Sequence, residues 1–137
     1  MIVVDVNIVA YLWIPGEHTE LVENLLRKDS SWHAPILWRS EFHSILSGYL
    51  RRGELDLKKA VQLAYEAQTF LKGNEYIVET DRVLTMVKKS KCSAYDCEYV
   101  ALAEKLRVPL VTTDGQVLQA FPHIALRASD FVAREKG

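Results

Sequence analysis

The sequence has no apolar run approaching the roughly 18–20 residues that cross a bilayer as a helix, so no membrane span is expected. It has only two cysteines, Cys92 and Cys97, too close together to staple a large loop. A disulfide-held fold is therefore excluded and a reduced cytosolic pair is expected. Four prolines and six glycines without period exclude collagen-like and low-complexity chains. Charge is balanced too: 17 basic against 18 acidic residues leave a net charge of -1, so the whole-chain field does not attract nucleic acid. No basic stretch precedes Asp5 in the opening MIVVDVN, which predicts no signal peptide and a cytoplasmic protein. What is there is ordinary: 137 residues, 49% hydrophobic and 26% charged, which predicts one globular domain over residues 1–137.

Short apolar runs alternate with helix-length amphipathic stretches. Strands are expected at Ile2–Val6, Trp32–Ile36, Tyr76–Val78, Leu110–Thr113 and Ile124–Leu126. Helices are expected over Glu17–Lys28, up to about Leu50 with a stop near Gly53, and over Asp81–Lys89 and Tyr95–Leu106. Leu57, Ala60, Val61, Ala64, Ala67 and Leu71 recur at three- and four-residue steps, one face of a further helix. The alternation predicts an α/β fold, a mainly parallel sheet covered on both faces.

Two apolar strands end in an acid, Val4 running into Asp5 and Thr113 into Asp114. In open parallel sheets ligands bind beyond the carboxyl ends of strands, so both acids belong at the functional edge. Aspartate there is also a good helix cap, and Asp114-Gly115 an ordinary turn pair, so neither is decisive alone. Asp96 begins the otherwise apolar stripe of Tyr99, Val100, Ala103 and Leu106. Ser93-Ala94-Tyr95-Asp96 also fits a capping box, and the two roles are compatible because a helix's first turn favours an ionised carboxylate. Glu41 sits at the edge of the face made by Trp38, Phe42, Ile45 and Tyr49, where a solvated side chain is the plainer reading.

Taken together, Asp5, Glu41, Asp96 and Asp114 are a carboxylate constellation whose mutual repulsion a cation would relieve. An all-oxygen set suits Mg²⁺ or Mn²⁺ and phosphoryl chemistry. The four histidines, His18, His33, His43 and His123, make no zinc spacing with the cysteines. There is no glycine-rich phosphate loop and no nucleophile elbow.

These residues resemble PIN-domain nucleases, and among them the VapC-type toxins of prokaryotic toxin–antitoxin pairs. Val3-Val4-Asp5-Val6-Asn7 is similar to the family's first motif, and Glu41 to its acid in the helix after the second strand. Ser93 through Ala103 is similar to the third motif, Thr112-Thr113-Asp114 to the T-x-D motif, and Ser129-Asp130-Phe131 to the tail. The resemblance spans nearly the whole chain. It implies a five-stranded parallel sheet and metal-dependent cleavage of RNA by Asp5, Glu41, Asp96 and Asp114, with Asn7 and Thr112 as supporting polar groups. It also implies a homodimer and an antitoxin protein that blocks the site. Gly115, Gln116 and Val117 stand where some relatives carry a further acid, which removes a ligand from any second metal site.

For the RNA backbone the candidates are Arg39, Lys88, Lys89 and Lys91, although surface lysines are commonly just solvated. Trp13, Trp32 and Trp38 are candidates for base stacking or core packing, and Tyr11–Pro15 for a partner surface. Two alternatives remain at this level: a receiver-like Mg²⁺-binding regulatory domain, and a non-catalytic partner-binding domain of the same fold.

Overall fold

The computed structural model describes residues 1–134. Strand β1 (Ile2–Val4) leads through one residue into α1 (Val6–Trp13), then α2 (Thr19–Lys28) and β2 (Trp32–Pro35). Helices α3 (Trp38–Arg51) and α4 (Leu57–Leu71) precede β3 (Glu75–Tyr76), and α5 (Thr80–Lys88) and α6 (Ala94–Leu106) precede β4 (Leu110–Thr112). Helix α7 (Gly115–Ala120), β5 (Ala125–Arg127) and α8 (Ala128–Ala133) complete the described chain. The strands form one parallel five-stranded sheet in the order β3-β2-β1-β4-β5, as expected for strands alternating with helices.

That order makes β1 the central strand, with Val3 opposite His33 of β2 and Val4 opposite Val111 of β4. The chain moves one way from β1 to β2 and β3, then crosses back to β4 and β5. With right-handed crossovers, α1 and α4 cover one face, and α6, backed by α5, covers the other. The reversal leaves a crevice between the carboxyl ends of β1 and β4, where open α/β sheets bind ligands. Receiver domains have the order 2-1-3-4-5. The receiver-like alternative therefore falls on topology.

Three helices escape the periodicity reading. In α1, Val6 to Trp13 is apolar almost throughout, with β-branched Val6, Ile8 and Val9, which looks like an extension of the strand. It coils because the Asp5 side chain accepts the Ile8 N–H at 3.0 Å and because Ile8, Val9 and Ala10 are buried. Helices α7 and α8 are six residues each, too short to show a period. Strand β3 covers Glu75–Tyr76 rather than Tyr76–Val78, and Ile77 beyond it is exposed. Cys92 and Cys97 are buried free thiols.

The entry to α3 is fastened to β3 by one carboxylate. Glu75 accepts the Trp38 indole N–H at 2.7 Å and both arms of the Arg39 guanidinium, at 2.6 and 2.7 Å. Glu75→Gln is expected to destabilise by about 1–3 kcal/mol, set by the buried Trp38 donor more than by half-exposed Arg39. The Arg39 bond, with Trp38 adding to it against some burial, holds the Glu75 carboxyl below its ordinary 4.5. A depressed folded value means that this contribution is present above 4.5 and lost as pH falls through the lower folded value. Urea titrations across acid pH check both points: an acid limb identical in wild type and Glu75→Gln would contradict them.

Candidate functional site

Strand ends and helix starts bring the acids together. Asp5 follows β1 and Asp114 follows β4, so strand pairing alone makes them neighbours across the crevice. Asp96 is in the first turn of α6, which packs on β1, β2 and β4. Glu41 is in the first turn of α3. All four line a single cleft together with Asn7, Tyr99 and Thr112. Its volume is about 50 Å³, room for an ion and a water but not for a nucleotide. Larger hollows of about 300–470 Å³ lie elsewhere, among them one around Arg107, Pro122 and His123 and one between α3 and α4, and none of these gathers more than one carboxylate.

Asp5 is the best-anchored acid. Oδ1 accepts the Ile8 N–H, and Oδ2 accepts the Thr113 N–H at 3.1 Å and the Thr112 hydroxyl. The same Thr112 oxygen accepts the Asp114 N–H at 3.0 Å, so one buried hydroxyl links both strand-end acids. Asp114 caps α7 by accepting the Val117 N–H, and Ser93 caps α6 by accepting the Asp96 N–H, each at 3.0 Å. The capping roles are therefore present, and they coexist with convergence on the cleft. Asn7 is exposed at its rim.

Electrostatic strain accompanies this convergence. Burial pushes the Asp5 carboxyl up against four donors that favour its charge, the Thr112 hydroxyl and the backbone N–H groups of Ile8, Thr113 and Asn7. Burial also raises Glu41, with Asp96, Asp5 and Glu98 adding repulsion, and raises Asp96, with Asp114 adding to it. A divalent cation answers that strain, and the donors on offer are oxygen only. Glu41 Oε2 and Asp114 Oδ2 accept no hydrogen bond among the described residues. Among those residues no three His, Cys, Asp or Glu side chains stand grouped to hold an ion by themselves. Mg²⁺ asks for less, taking one or two carboxylates and filling its octahedron with waters and phosphate oxygens. The residues present fit such an ion.

One contact was not anticipated from sequence. The Tyr99 hydroxyl donates to Glu41 Oε1 at 2.6 Å, although Tyr99 reads as a plain member of a buried helix stripe. Its place three residues after Asp96, on the same helix face, was the available signal. The basic candidates are not in the cleft lining. Arg39 is committed to Glu75, and Lys88 and Lys89 lie at the end of α5 beside Asp81, Leu84 and Thr85. Lys91 offers its carbonyl to Gln116. Trp32 and Trp38 are buried, closing them to base stacking, and Trp13 packs half-buried on Phe70 at 5.2 Å. No helix among the described residues is long and apolar enough to cross a membrane.

Residues 2–124 match the family described as PIN domain. The chain is 32% identical to Ribonuclease VapC3 of Pyrobaculum aerophilum over 124 residues, 88% of this chain and 95% of that protein. In fold it is similar to PAE2754 from Pyrobaculum aerophilum, with a TM-score of 0.76 at 19% identity over 97% of this chain and 94% of the other. It is also similar to FitAcB from Neisseria gonorrhoeae, with a TM-score of 0.75 at 15% identity over 94% of this chain and 99% of the other. A family match over residues 2–124 and a 32% identical relative spanning most of both chains, on a five-stranded parallel sheet, settle the affiliation: this protein is a VapC-type member of the PIN-domain family.

Proposed function

We propose that this single-domain protein is a Mg²⁺- or Mn²⁺-dependent endoribonuclease, acting in the cytoplasm as the toxin of a toxin–antitoxin pair. The observation that carries the reading is the meeting of four carboxylates from four separate elements in one small cleft at the switch point of the sheet. The name of the 32% identical relative, a ribonuclease, supports the substrate class. Under the same reading the protein works as a homodimer and is restrained by an antitoxin protein.

In this scheme Asp5, Asp96 and Asp114 hold the ion, one or two of them directly and the rest through its waters, and Glu41 shares the ion or positions the attacking water through its unpaired Oε2. A bound Mg²⁺ or Mn²⁺ supplies a Lewis acid for the scissile phosphate and acidifies a nearby water. Thr112 holds Asp5 by donating to it and holds the start of α7 by accepting from Asp114, so the two strand-end acids keep a fixed separation. Asn7, at the rim, supports the water or a phosphate oxygen. The cleft is too small for more than the reacting group, so the flanking RNA lies outside it. Lys88, Lys89 and Lys91, which make no ion pair among the described residues, are the basic groups offered to that backbone. Arg39 stays a candidate only through whatever its bond to Glu75 leaves exposed.

The test is cleavage of a panel of single-stranded and structured RNAs by antitoxin-free protein. Cutting is expected with Mg²⁺ or Mn²⁺, loss with chelator, and recovery on adding metal back. Cutting that persists undiminished in chelator contradicts the metal requirement. No cutting of any RNA favours the non-catalytic alternative.

A further inference from the structure

We propose that Tyr99 is a positioning residue for this cleft, holding Glu41 by its Oε1 so that Oε2 is the oxygen left for an ion or a water. The inference rests on the nuclease reading above, and names a residue through which that site acts.

Tyr99 is 3% exposed, in a helix whose Cys97 and Tyr99 to Ala103 are all buried. Packing alone would be served by phenylalanine, and a buried hydroxyl is costly unless it finds a partner. Its partner is a side chain 58 residues away, on α3, at 2.6 Å, within the short range of an O–H donor on a carboxylate. Glu41 makes no other side-chain hydrogen bond among the described residues, so each group is the other's anchor. Without that anchor Glu41 has good reason to leave, since Asp5, Asp96 and Glu98 all repel it and solvent is close. Helix α6 thus serves the cleft twice, one turn apart: Asp96 faces it, and Tyr99 reaches across to hold the acid of α3. Outer partners of this kind are worth about 10–100-fold in metal affinity or activity.

Tyr99→Phe keeps the ring and removes only the hydroxyl. Calorimetry with Mn²⁺ alone, without RNA, is expected to show affinity lowered about 10-fold or more, and kcat is expected to fall with little change in KM. In Glu41→Gln the further change Tyr99→Phe is expected to add much less than it does in wild type, because Tyr99 acts through Glu41. Wild-type Mn²⁺ affinity and kcat in Tyr99→Phe overturn the proposal, as does full additivity with Glu41→Gln. If wild type itself binds no Mn²⁺, the nuclease reading is what fails. A crystal structure of Tyr99→Phe then decides the positioning role by itself: Glu41 displaced supports it, and Glu41 unmoved overturns it.

Discussion

Asp96→Asn is expected to abolish RNA cleavage, by about 100-fold or more, while making the metal-free protein more stable at neutral pH. The two effects have separate origins in one side chain. The cap of α6 is a bond from the Asp96 backbone N–H to Ser93 Oγ, which asparagine leaves intact. The carboxylate itself is raised by burial and by Asp114. A folded value above the ordinary 3.8 means that the folded state holds the proton more tightly than the unfolded chain does. Stability contributed by this group therefore falls as pH climbs from 3.8 through the raised value, and asparagine escapes that fall. Ligand chemistry runs the other way, since a neutral amide is a poor ligand for a hard cation. Thermal unfolding at several pH values, with and without Mn²⁺, reads both. Mn²⁺ at a hundred times its Kd is expected to stabilise wild type by about 2.7 kcal/mol and the variant far less. A variant that is less stable than wild type at neutral pH, and cuts RNA as well, would remove both arguments.

Trp38→Ala is expected to cost about 3–5 kcal/mol, a large part of what a domain of this size has to lose. Trp38 is fully buried, stacks at a tilt near Phe42 with ring centres 6.0 Å apart, and donates its indole N–H to Glu75 at 2.7 Å. Trp38→Phe keeps most of the ring volume and loses the donor, so about 1–2 kcal/mol is expected. Urea midpoints that move without a change in slope would measure these as stability alone. Equal costs for the two variants would assign the residue's role to the hydrogen bond rather than to packing. Because Trp38 lies one turn before Glu41, the loss also loosens the helix that carries an acid of the cleft.

Much of the fold is legible before any coordinates. Alternating apolar runs and amphipathic stretches place the strands to within a residue or two. The α/β class follows because parallel strands need helical crossovers. Helix α1 is not legible, since a segment apolar nearly all round carries no periodic signal. Acids at strand ends are legible as a pattern, and Asp5 and Asp114 read equally well as caps, which is what each of them also is. The basic residues are the weaker part of the reading. Nothing local announces that Arg39 is taken by Glu75, 36 positions away, or that Tyr99 reaches Glu41.

The sequence by itself determined the local chemistry: which strands end in carboxylates, which helices start with a cap, and the order in which both occur. Those depend on neighbours along the chain, where spacing and side-chain type are enough. Only the tertiary structure decided which acids meet. Strand order sets β1 beside β4, bringing Asp5 within a hydrogen bond of Thr112 across 107 residues. Such contacts arise from burying two faces of one sheet at once, a condition on the whole chain that no short stretch of it carries.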